Sequence, residues 1–82
     1  MGEHMRILGI RDVNFTDEKI GKAIIGVSIY VAYPRTGVTG EETAKFFLAP
    51  DKAASISNLL YPGSEVVVYF NRHGKIEAME AA

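Results

Sequence analysis

Cysteine is missing from the chain altogether, so neither a disulfide framework nor a thiolate metal site is available to it. No apolar run approaches the roughly 18 residues of a membrane span, and the start, MGEHMRILGI, lacks the long h-region of a secretory signal. A reducing, cytoplasmic setting is the expectation. An excess of one charge is lacking too. Nine Lys and Arg stand against ten Asp and Glu, a net charge of −1, so a nucleic acid or an acidic membrane would be attracted only by a local basic face.

Catalytic signals are as scarce. His73 lies in a turn sequence with no cysteine and no second histidine near it to share a metal. Ser28, Ser55 and Ser57 have no G-x-S-x-G context. The glycines of RTGVTGEET do not follow the phosphate-loop spacing, and the segment after them reads as a strand rather than a helix. Asp17-Glu18 and Glu41-Glu42 lack the spacing of a Ca²⁺ loop. The expectation is a protein that is not an enzyme, with no cofactor and no metal.

What the chain does have is β-pattern. Its 82 residues, 48% hydrophobic and 23% charged, suit one small globular domain. Met1 to His4 read as an added leader ahead of a natural start at Met5, which sets residues 1–5 apart from a single domain over residues 6–82. Arg6 to Phe15 is rich in β-formers and predicts strand one, although Ile7 with Val13 and Leu8 with Ile10 are equally good inward sets. Lys22 to Tyr33 alternates most clearly, with Ala23, Ile25, Val27, Ile29, Val31 and Tyr33 expected inward. Gly26 within it marks a bulge or a sharp bend. PRTGVTG is a hairpin tip, and Glu42 to Leu48 predicts strand three. DKAASISNLLY carries Ala53, Ile56, Leu59 and Leu60 at helical spacing and predicts a helix closed by PGS. Glu65 to Asn71 and Lys75 to Met79 predict strands four and five, joined by the turn Asn71–Gly74.

Three strands, one short helix and two strands predict a mainly β protein, a small five-stranded antiparallel barrel of OB-like order β-β-β-α-β-β. A small SH3-like barrel competes, but it usually lacks a helix of this length at that position. Within strand three, Phe46 and Phe47 are adjacent, and strand geometry sends neighbouring side chains to opposite faces. Ala44, Phe46 and Leu48 then face inward, and Thr43, Lys45 and Phe47 outward. The outward set of strands two to four includes Tyr30, Phe47, Val67 and Tyr69, an apolar and aromatic patch of the kind that marks contact surfaces. Aromatic rings stack on the bases of single-stranded nucleic acid for about 1–3 kcal/mol each, while Lys45, with Lys22, Arg35, Arg72 and Lys75 near loops, would supply phosphate contacts. Alternatively, Tyr30 and Phe47 are covered by the helix, by a terminus or by a second subunit, which makes a protein-interaction module or structural homodimer. Burying one such ring contributes about 1.5–3 kcal/mol, which is large for a domain of this size.

ILGIRDVNF near the start and VVVYFNRHGKI near the end resemble the two ends of a group of short proteins from bacterial phages and mobile elements, whose members often read I-R-x-V-x-F and V-x-V-x-Y-N-R-x-G-K. The resemblance spans most of residues 6–79, and this chain departs from it in carrying Tyr69-Phe70 ahead of Asn71-Arg72. The layout is also similar to small OB-fold single-stranded DNA-binding proteins of the filamentous-phage type. That resemblance implies a homodimer in a phage or mobile-element replication setting, binding DNA rather than RNA through a sheet face and a projecting hairpin. Carried over by position, Tyr30, Lys45 and Phe47 would stack bases and hold phosphates, Arg35 would sit on the projecting hairpin, and Arg72 would flank the cleft.

Overall fold

A computed structural model describes residues 2–82. Five strands form one antiparallel sheet: β1 (Gly2–Asp17), β2 (Lys22–Pro34), β3 (Glu41–Leu48), β4 (Glu65–Phe70) and β5 (Ile76–Ala81). A short helix α1 (Pro50–Ser55) and a 3₁₀ turn (Ser57–Leu59) connect β3 to β4. The strand order is β3-β2-β1-β4-β5, so β1 is central and carries a different neighbour at each end. Its first residues, Gly2 to Arg6, pair with β4, and Arg6 to Asp17 pair with β2. Strand one therefore begins earlier than predicted. Of the segment read as a leader, Gly2 to His4 lie in the β4 ladder and Met1 is outside the described residues, while Met5 is buried in the core.

The two competing inward sets of β1 are resolved by a bulge. Ile7 pairs with Val31 and Gly9 with Tyr30, which leaves Leu8 without a partner. One extra residue reverses the parity of everything after it. Ile7 is fully buried, Leu8 is exposed, and Ile10 packs against the core, so one residue from each set faces inward. The irregularity sits at Leu8 rather than at Gly26, which stays in register opposite Val13. Gly26 answers to a different demand. A Cβ there would run into the Leu48 carbonyl oxygen and the Phe47 ring where β3 leaves the sheet.

The core gathers Met5, Ile7, Ile29, Val31, Leu48, Val66, Val68 and Met79 from the sheet, capped by Ala53 and Ile56 from the β3–β4 connection. Within β2, Val27, Ile29, Val31 and Tyr33 face inward as their alternation predicts, whereas Ala23 and Ile25 do not reach the core. Lys22 to Gly26 pair only with β1, since β3 begins its ladder at Val27, so this end of the hairpin has no layer beneath it. The predicted helix is shorter than its apolar spacing suggests. α1 stops at Ser55, whose Oγ donates to the Lys52 carbonyl at 2.8 Å, and Ile56 leaves helical geometry at φ −121°. Serine and asparagine compete for backbone hydrogen bonds, and Ile56 is β-branched, which favours this break. Leu59 and Leu60 still pack against the core.

The sheet curls but does not close into the predicted barrel, and β3 and β5 remain its edges. At the seam the chain leaves β3 at Leu48 and enters α1 at Pro50. The Lys52 ammonium then donates at 2.5 Å to the carbonyl of Glu77, the extra residue of a second bulge in β5, and so bridges the seam from the helix. Across the seam, the rings of Phe46 and Phe70 meet with centroids 5.4 Å apart at 50°, a tilted geometry favourable for aromatic pairs.

Candidate nucleic-acid interface

Parity in β3 separates the two adjacent phenylalanines as expected. Phe46 points inward onto Phe70, and Phe47 points outward with 49% of its surface exposed. Register then places the outer neighbours. Ser28 lies between Arg11 and Phe47 across three strands, and Tyr30 lies between Gly9 and Lys45. The Lys45 ammonium sits 5.8 Å from the centre of the Tyr30 ring, within cation–π range. Ser28 and Ala32 face outward as predicted yet are buried, because their small side chains are overlain by longer neighbours on β1 and β3.

Phe47 stands between two open grooves. The first, about 420 Å³, runs along β1 and is lined by Arg11, Asp12, Val13, Phe15, Lys45 and Phe47, among others. The second, about 310 Å³, lies at the seam and is lined by Phe47, Leu48, Ala49, Lys52, Lys75 and Ile76. Arg11, Lys45, Lys52 and Lys75 thus surround one exposed ring with Asp12 as the opposing charge among the lining residues. A chain of net charge −1 contains the local basic face that its overall charge does not reveal.

The structure brings Tyr30, Lys45, Phe47 and Lys75 together and leaves three predicted residues elsewhere. Tyr69 is opposite Gly2, at the end of β1 that pairs with β4, and lines neither groove. Its ring lies over Gly2, and its hydroxyl donates to Glu80 Oε1 at 2.5 Å, which together with desolvation raises its pKa. Arg72 is exposed in the β4–β5 turn, which is shaped by Asn71 Oδ1 accepting from the backbone N–H groups of His73 and Lys75, with Gly74 at φ 76°. Arg35 is on the β2–β3 turn, with its guanidinium donating to Glu42 Oε2 at 2.6 Å.

Arg11, Phe15 and Lys52 are the groove residues that periodicity missed. Alternation in RDVNF identifies the first two once the parity switch is set at Leu8-Gly9, and a glycine in a strand is the signal for such a switch. Lys52 is visible only after the turn beyond Pro50 is folded. Among the described residues, no three histidine or carboxylate side chains converge to hold a metal ion.

Beside the hairpin tip, Tyr33 and Arg35 both donate to Glu42 Oε2 at 2.6 Å. The Tyr33 hydroxyl first and the Arg35 guanidinium second hold the Glu42 carboxyl below the usual carboxylate range, and the same bond raises Tyr33. A depressed carboxylate stabilises the fold above its unfolded pKa, and this contribution disappears as pH falls through the folded value. Thermal unfolding should therefore show Glu42→Gln less stable than the unmodified chain at neutral pH, with the difference shrinking as pH drops below the ordinary carboxylate range. A difference that stays constant into acid would mean that the network contributes nothing through charge.

Compared with known proteins, the chain matches no family model, no curated protein and no solved structure, so the reading of this face rests on its own chemistry.

Proposed function

We propose that the chain binds single-stranded nucleic acid, DNA in preference to RNA, on the outer face of β1–β3, without catalysis. The observation that carries this reading is the half-exposed Phe47 ring at the junction of two grooves lined by Arg11, Lys45, Lys52 and Lys75. Every base has a π-face, so a ring with cations at its rim accepts bases of any identity while the cations hold the phosphates. The preference for DNA and the phage or mobile-element setting follow from the resemblance alone. An OB-like reading of the fold belongs to the same proposal, supported by the return of β4 to β1 and by the helix between β3 and β4.

A labelled single-stranded oligonucleotide titrated at low salt tests it. Two to four phosphate contacts give a slope of log K against log salt of about −1.4 to −2.8. Phe47→Ala should weaken binding about 5- to 150-fold, with the fold intact by circular dichroism. No binding at low salt, or binding indifferent to Phe47→Ala, refutes the reading. The competing homodimer, in which a second subunit covers Tyr30 and Phe47, predicts instead that Phe47→Ala lowers the mass in solution.

A further inference from the structure

Beyond Arg6, β1 loses β4 as a neighbour. Two backbone bonds tie Ile7 to the turn before β4, its N–H to Ser64 at 2.8 Å and its carbonyl to the Gly63 N–H at 2.7 Å. After the Leu8 bulge, Gly9 to Asp17 have β2 on one side and no strand on the other. Such an edge exposes a row of unpaired N–H and C=O groups that invites another strand. The face beside it is apolar at Phe15, which is 53% exposed, and at Val13.

We infer that this edge pairs antiparallel with the same edge of a second copy, centred on Asn14, to make a two-fold dimer. The occupant and the register both follow from charge. A two-fold axis perpendicular to the sheet puts each residue opposite one of its own parity, which restricts the pairing to a centre on a residue. Centred on Asn14, Arg11 faces Asp17 of the second copy, Val13 faces Phe15, and Asp12 faces Thr16, each pair occurring twice. Centred on Asp12, that carboxylate meets itself. Centred on Phe15, Asp12 meets Glu18 and Arg11 meets Lys19. Centred on Val13, Arg11 meets Phe15 and no opposite charges align. Only the Asn14 register joins both an ion pair and an apolar pair.

The side chains are available for it. Neither Arg11 nor Asp17 forms an ion pair among the described residues. Asp17 accepts from the Lys19 N–H at 3.0 Å and pairs across its own hairpin with Lys22, so the Arg11 of a second copy would approach from its open side. β3, the other edge on this side of the sheet, is less suited, because Glu41 and Glu42 are already bonded to Arg6 and Arg35. The dimer joins the outer faces of two copies into one sheet and leaves Phe47 uncovered, so it differs from the homodimer that hides the aromatic face and does not depend on nucleic-acid binding.

Sedimentation velocity on the full chain tests the pairing. The unmodified chain should show a reversible dimer. Arg11→Asp and Asp17→Arg each put like charges opposite one another twice and should weaken it about tenfold or more. The double variant restores the opposite pairing with the signs exchanged, so its dimerisation should return to within a few-fold of the original. That recovery separates a pairing effect from damage to the hairpin, which the double change would not repair. A chain that stays monomeric up to about 1 mM, single variants that dimerise unchanged, or a double variant as weak as the singles would each overturn the inference.

Discussion

Replacing Gly26 with valine should cost more stability than any other single change on the outer face. The position is buried, and a Cβ built there collides with the Leu48 carbonyl oxygen and with the Phe47 ring. The ring can swing aside. The carbonyl cannot, because Leu48 ends β3 opposite Val27 and its own side chain is fixed in the core. The exit of β3 must therefore shift, moving α1 and Lys52 with it. Overpacking of a filled site costs about 1–3 kcal/mol for a modest insertion and more where backbone must move. Gly26→Ala should fall in that range and Gly26→Val above it. At about 4–8 °C per kcal/mol for a domain of this size, even alanine lowers the midpoint of thermal unfolding by about 5–20 °C. Retention of the original midpoint by Gly26→Ala would show that β3 does not pass as closely as described.

A second large effect is expected inside the same strand. Ile29 and Ile25 share residue type, strand and parity, yet Ile29 is 0% exposed among Met5, Ile7, Leu48 and Val66, while Ile25 is 53% exposed. Truncating a buried isoleucine to alanine leaves a cavity in addition to the lost transfer energy, together about 2–5 kcal/mol. A domain of this length is stable by only about 4–12 kcal/mol, so Ile29→Ala removes a large fraction of the total. Ile25→Ala should stay within about 0.5 kcal/mol, as surface changes do. Chemical denaturation measures both, and similar losses at the two sites would mean that the β1–β2 hairpin end is packed against something in solution. A small loss at Ile25 with a large one at Ile29 agrees with the edge pairing through Arg11–Asp17, which leaves the far side of the hairpin open.

These two sites show how far local pattern reaches. Period-two alternation is enforced by the backbone of every strand, so it correctly separated Phe46 from Phe47, Val66 and Val68 from Val67 and Tyr69, and Ala44 from Lys45. The same pattern cannot say where the opposing layer ends. Ala23 and Ile25 continue the alternation of β2 beyond the reach of β3 and of the helix, and nothing local distinguishes them from Ile29. The residues of the candidate site divide in the same way. Lys45 and Phe47 were legible because they alternate with core positions on one strand. Arg11 was hidden by the parity switch at Leu8, and the pairing of Tyr69 with Gly2 was not legible, because the stagger of β4 along β1 is a long-range choice.

Composition and periodicity were sufficient for a small, mainly β chain with a short helix before its last hairpin, since hydrophobic alternation and turn residues act over a few neighbours. Register, bulges and the open seam between β3 and β5 came from contacts between residues far apart along the chain, such as Lys52 with Glu77 and Phe46 with Phe70. Interactions of that reach depend on which segments meet in space, and a one-dimensional pattern carries no measure of that distance.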